Sequence, residues 1–151
     1  MMLATIRADS VNIALLVHVL GAMLLVGTLV AAVAAVVLSR TGTGATLQRI
    51  SFRALLYGAV PAFIVMRVGA EWVKSKEHAP DDVAWIGVGY GVSDFSLLFL
   101  IVATVLAGLA LRRVNRQPDN PGALGTVAAA IVSLLILGYG IAIWAMTTKP
   151  T

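Results

Sequence analysis

Residues 12–38 read NIALLVHVLGAMLLVGTLVAAVAAVVL, 27 positions without one Asp, Glu, Lys or Arg. A bilayer's hydrocarbon core is about 30 Å thick and takes about 20 apolar residues of helix to cross. This stretch is long enough, and it is too long for the core of a signal peptide, which runs to about 7–15 residues. The residues ahead of it carry a single cation, Arg7. Small residues around Ala31 to Ala35 could be read as a cleavage site, but the block reads as a retained membrane span. Three further apolar blocks follow, at about 54–73 with Pro61 inside it, 93–111 and 122–147.

The whole composition agrees. The chain has 151 residues, 60% of them hydrophobic and 12% charged, where a soluble domain is about half apolar and a quarter charged. There is no cysteine, which excludes disulfides, thiolate metal sites and cysteine nucleophiles. The formal charge of +4 does not indicate nucleic acid, because the basic residues sit beside the apolar blocks, where they serve topology and lipid headgroups.

These features predict an all-α polytopic membrane protein, a single domain over 1–151. Its four transmembrane helices are expected to form an up-down bundle, since short links favour antiparallel neighbours. Residues 40–51 and 112–121 read as short links. Residues 74–92 read as the longest, an outer loop with a turn at His78-Ala79-Pro80-Asp81-Asp82. Within it, Gly87, Gly89 and Gly91 weaken a helix, at about 1 kcal/mol each against alanine. An interfacial or re-entrant segment is expected there; the rival reading carries the third helix back to Asp82.

Arg40, Arg49, Arg53, Arg112, Arg113 and Arg116 fall on one side of the spans, and Arg7, Lys74, Lys76 and Lys149 on the other. Cytoplasmic loops are the ones enriched in Lys and Arg, so both termini are expected outside a plasma or inner membrane. Trp72, Trp85 and Trp144 then lie near the outer interface, as an aromatic belt would. Small-residue stripes, which let helices approach in lipid, are read at Gly27, Ala31 and Ala35; at Ala103 and Ala107; and at Gly125, Ala129 and Ser133, continuing to Gly138 and Ala142. Pro61 removes a backbone hydrogen bond and is expected to bend the second span.

Four ionisable side chains interrupt the apolar blocks: His18, Arg67, Glu71 and Asp94. Intramembrane charge is costly, so such residues pair, line a wet cavity or do chemistry. Counting 1.5 Å per residue from Arg40, Arg53 and Arg112 puts Arg67 roughly 21 Å up, Glu71 and Asp94 roughly 27 Å, and His18 roughly 33 Å. Tyr139 and Trp144 reach the same zone. Arg67 and Glu71 are one helical turn apart and can touch. The simplest reading is a salt bridge from Arg67 to Glu71 and Asp94, tying the second span to the third. Asp94, with Ser93, could instead cap the start of the third helix. The functional reading is an outward-facing site in which Arg67 holds an anion, such as a carboxylate, a phosphate headgroup or a haem propionate. Snorkelling to the interface is the third.

His18 has Gly21 and Ala22 about one turn along, leaving room for a flat ligand or a close helix. Imidazole ligates haem iron and metals, and the candidate second axial ligand is Met146 or a His from another chain. With no second intramembrane histidine, bis-His haem within one copy is excluded, and a hydrogen bond to a neighbour is the plainer role. His78 reads as a solvated loop residue. No dedicated metal site, catalytic nucleophile–base pair or phosphate loop is evident.

The stretch Val17-His18-Val19-Leu20-Gly21-Ala22-Met23-Leu24-Leu25-Val26-Gly27 resembles the first helix of uncharacterised small bacterial four-helix integral membrane proteins. It is similar in pattern to the membrane domain of copper-resistance D proteins and to haem-pathway membrane oxidases. The resemblance covers about one helix, and implies that His18 is a haem or metal ligand. Three functions follow as expectations. The first is a structural or accessory subunit of a larger membrane complex, respiratory or transport, with protein partners or copies of itself. The second is a haem- or quinone-linked redox protein with His18 as ligand. The third is a small transporter or lipid-binding protein using the outer polar cluster.

Overall fold

A computed structural model describes residues 9–39, 44–77, 84–118 and 122–148. Five α-helices account for nearly all of them: α1 (Asp9–Leu38), α2 (Gly44–Arg53), α3 (Val60–Glu77), α4 (Ala84–Arg116) and α5 (Leu124–Thr148). A π-helical turn, Ala54–Ala59, joins α2 to α3 without interruption. There is no strand among the described residues. Four helical stretches are long and apolar enough to cross a membrane: Val11–Leu38, Gly44–Lys76, Gly87–Arg116 and Leu124–Thr148.

The bundle is organised around α1. It packs along its length against α2, the π turn and α3, and on another side against α5. α5 packs against α4, and α4 returns to α2 and the π turn. α3 and α4 approach each other at few points, so the ring of helices is closed at the arginine-rich end and splayed at the other.

Antiparallel contact between α1 and α3 is fixed by a reciprocal pair of glycines. A Cβ on Gly21 would lie 2.5 Å from the backbone nitrogen of Met66, and one on Gly69 would lie 2.6 Å from that of His18. Each helix thus offers a glycine to the other's backbone, the close approach that small residues permit in lipid. Further along, Thr28 fits against Gly58, with its Cγ2 2.6 Å from a Cβ position there. The first span therefore meets its partner through Gly21, Leu25, Leu29 and Ala32, all buried, and not through Gly27 and Ala31, which face outward. The expected stripe of Gly27, Ala31 and Ala35 is corrected accordingly; of the three, only Ala35 is buried. Ala103 and Ala107 are buried as expected. On α5 the inward face runs through Gly125, Ala128, Val132, Leu135, Tyr139 and Ala142, one position off Ala129 and Ser133.

Two boundaries and the turn before Pro61 also call for comment. Residues 44–51 are helical, so the second long helix starts a full ten residues before Ala54. Pro61 does not break that helix. It has no N–H for the Tyr57 carbonyl, and the turn just before it widens, with the Val60 N–H bonded to the Leu55 carbonyl five residues back. The wide turn keeps Leu55 and Ala59 in the core and presents Gly58 to Thr28. Finally, the third long helix starts at Ala84, as in the rival reading, and the expected re-entrant segment is helix. Tertiary packing outweighs the glycines: Met146 lies on Gly89, and Val92 lies against Gly138. Ser93 and Asp94 are consequently mid-helix and cap nothing.

Hydroxyls within the spans fold back onto their own helices. Thr104 donates to Leu100 O at 2.7 Å, Ser133 to Ala129 O at 2.9 Å and Thr28 to Leu24 O at 2.8 Å, which keeps polar groups satisfied where water is absent. The α4–α5 corner turns at Gly122, whose φ is +68°. Arg113 Nε lies 2.8 Å from the position of a Cβ there. Gly122→Ala is expected to lower stability by about 1 kcal/mol or more, from left-handed strain and the displaced arginine. A thermal unfolding curve of the purified variant measures it.

Candidate functional site

The splayed end of the bundle collects the residues singled out in the sequence. Arg67 on α3 reaches across to α4, where its Nη2 lies 3.0 Å from Asp94 Oδ1, and it lies 3.4 Å from Glu71 Oε1 one turn along its own helix. The guanidinium carbon also sits 4.5 Å from the Tyr90 ring centroid, and Lys74 Nζ sits 5.0 Å from the same ring. Arg67 is thus held by two carboxylates and an aromatic face, and it bridges the gap where the α3 and α4 backbones diverge. The side chains of Glu71 and Asp94 are 52% and 65% exposed, that of Arg67 29%. The cluster is a rim feature, and exposed pairs of this kind contribute about 1 kcal/mol or less each in water.

His18 lies beside this cluster but is engaged elsewhere. Its Nδ1 is 2.9 Å from the Met66 carbonyl oxygen. The carbonyl can only accept, so Nδ1 carries the donated hydrogen and Nε2 is the ring nitrogen left for another partner. The depth arithmetic placed His18 well above Arg67, yet it sits level with Gly69. The cause is the helical start at Gly44. The pairs 18 with 69 and 21 with 66 bring the end of α1 level with the turn around Arg49, so Arg53 was the wrong zero.

Behind Arg67, between α1, α3, α4 and α5, is a cavity of about 80 Å³ bordered by His18, Arg67, Tyr90, Ser93, Tyr139 and Met146. Its walls are mostly apolar side chains, with Ala22 and Ala142 giving the room. The hydroxyls of Tyr90, Ser93 and Tyr139 are buried and have no well-formed hydrogen bond among the described residues. Tyr90 and Ser93 lie in and just after the glycine-rich stretch read as irregular, which is why their inward placement was missed. Only the helical spacing from Ser93 to Ser96 to Leu100, all buried, signalled it.

The site can hold water-sized groups. Sites for drug-sized ligands or cofactors run to about 300–1,000 Å³, so a macrocycle does not fit between these helices. One imidazole and the Met146 thioether border the cavity, and among the described residues no group of three His, Cys, Asp or Glu could hold a metal ion. The residues present do not fit a haem within one copy of the chain. His78, Asp81 and Asp82 lie outside the described residues. Trp72 and Trp144 are exposed at this end, 40% and 62%.

Comparison with protein-family profiles, with curated proteins and with solved structures finds no match.

Proposed function

We propose that the chain is a multi-pass protein of the plasma or inner membrane, with both termini outside, and that it acts as a structural or accessory subunit of a larger membrane assembly. The observation that carries this reading is the engagement of the ionisable groups within the spans. Arg67 is held by Glu71, Asp94 and the Tyr90 ring, and His18 by the Met66 carbonyl. The one cavity among them is too small for a substrate of ordinary size. What is left for function is surface. The orientation rests on Arg49, Arg53, Arg112, Arg113 and Arg116 at one end of the bundle, with Arg40 beside them in sequence. Purification from native membranes in mild detergent tests the role. The expected result is at least one other polypeptide in constant proportion, and a colourless preparation. A lone chain that turns over a substrate of its own contradicts it.

A redox role keeps one observation in its favour: a histidine whose Nδ1 donates to a backbone carbonyl has its ring oriented as a ligating histidine does. In that reading Nε2 of His18 is the ligating atom, with a second copy or partner completing the site. Its signature is a visible absorption band that His18→Ala abolishes; a spectrum without such a band ends it.

A further inference from the structure

At the arginine-rich end two open clefts adjoin. One, of about 500 Å³, lies over the last turns of α4 and is bordered by Leu109, Arg112, Arg113, Arg116, Gln117 and Leu124. The other, of about 410 Å³, is an apolar trough between the α2–π segment and α4, with Phe52 and Leu56 on one wall and Val105, Leu109 and Arg112 on the other. Leu109 and Arg112 belong to both, so the trough leads directly to the arginines. Gly108 forms its floor: the Phe52 ring lies 3.1 Å from where a Cβ would be. From Thr104 to Arg112 the trough follows α4 for roughly 12 Å.

Charge at this end is one-sided. Among the described residues Arg49, Arg53, Arg112, Arg113 and Arg116 lie here, and no Asp or Glu does. Arg112 and Arg116 make no ion pair among the described residues. Two guanidinium groups one turn apart suit phosphate oxygens, which they meet with paired N–H donors. An apolar trough in continuity with them suits a hydrocarbon chain.

We propose that this seam is a binding site for a phospholipid with an anionic headgroup, its phosphate at Arg112 and Arg116 and one acyl chain in the trough between Phe52 and Leu109. The proposal rests on the bilayer-spanning reading and is independent of the accessory role. It differs from a shell of bulk lipid because it requires both halves of the site at once, a stated pair of cations and a stated groove.

The test is native mass spectrometry of the full chain in neutral detergent, after exposure to mixed micelles containing phosphatidylglycerol, phosphatidylcholine or inorganic phosphate alone. Phosphatidylglycerol is expected to stay bound through detergent stripping, and phosphatidylcholine to be lost. Each arginine near an anionic lipid surface is worth a factor of about five, so Arg112→Gln with Arg116→Gln lowers retention by more than tenfold. The doubly lysine-substituted variant, Arg112→Lys with Arg116→Lys, keeps most of it, which separates lost charge from lost fold. Leu109→Trp fills the trough and lowers retention with both arginines in place. Equal retention of the two lipids overturns the proposal, as does retention unchanged in the double Gln variant, which is bulk lipid. Capture of inorganic phosphate as firmly as of phosphatidylglycerol also overturns it, because the site would then read the free anion.

Discussion

Valine in place of Gly21 or Gly69 is expected to destabilise the bundle by about 1–3 kcal/mol or to prevent its assembly. The reason is geometric. At both positions the first added carbon falls inside van der Waals contact with the backbone of the opposite helix, 2.5 Å and 2.6 Å from the nearest atom. Backbone cannot swing aside as the end of a side chain can, so α1 and α3 must separate. Separation also stretches the bond from His18 Nδ1 to the Met66 carbonyl, which lies in the same layer. Gly27 and Gly140 are the controls. A Cβ at either meets nothing within 4 Å, so Gly27→Val and Gly140→Val are expected to leave stability within about 0.5 kcal/mol. Unfolding of the four purified variants in detergent compares them directly. Four superimposable curves would mean that the glycines do not set the α1–α3 distance.

Reversing the charge at Arg67 is the second large effect. Arg67→Asp puts a third carboxylate beside Glu71 and Asp94, which already converge on this position, and removes the cation over Tyr90. Few backbone contacts join α3 to α4 here, so the repulsion acts on a sparse seam of the bundle. The expected loss is about 2 kcal/mol, the range of hydrogen bonds to charged groups discounted for partial exposure. Arg67→Leu should lose less. The difference between the two variants should shrink as salt rises, because exposed charges are screened. A loss equal in both variants at every ionic strength would assign the effect to packing.

Much of the fold could be read from residue type alone. Residues 12–38 admit little but a spanning helix, and the structure has α1 there. The pairing of Arg67 with Glu71 and Asp94 was likewise legible, from a one-turn spacing and a common depth. What could not be read has particular causes. Gly21 and Gly27 look equivalent in sequence, and only packing makes the first a contact and the second outward-facing. The glycines at 87, 89 and 91 argue against helix locally, and contact of α4 with α5 overrides them. Gly44–Arg53 is polar enough to pass for a link, yet it is helix packed on α1 and α4, with Ser51 buried and Gln48 buried against Gly125 of α5. That misreading displaced the zero for Arg67 and Glu71, and with it their depth relative to His18. That Tyr90, Ser93 and Tyr139 border one cavity was not legible, since a cavity lined from two helices is a property of the assembled bundle.

The claim that the cluster around Arg67 is a tie between helices, and not a place where something is bound or transformed, is tested most directly by exchanging its charges. The double variant Arg67→Asp with Asp94→Arg moves the guanidinium from α3 to α4 and keeps an opposite-charge pair across the seam. Its unfolding curve and, under the proposed accessory role, its copurification with other chains should both recover most of what Arg67→Asp loses. A double variant that is folded and stable, yet fails to restore that copurification, would show that the position of the guanidinium matters beyond the tie, and would contradict the account.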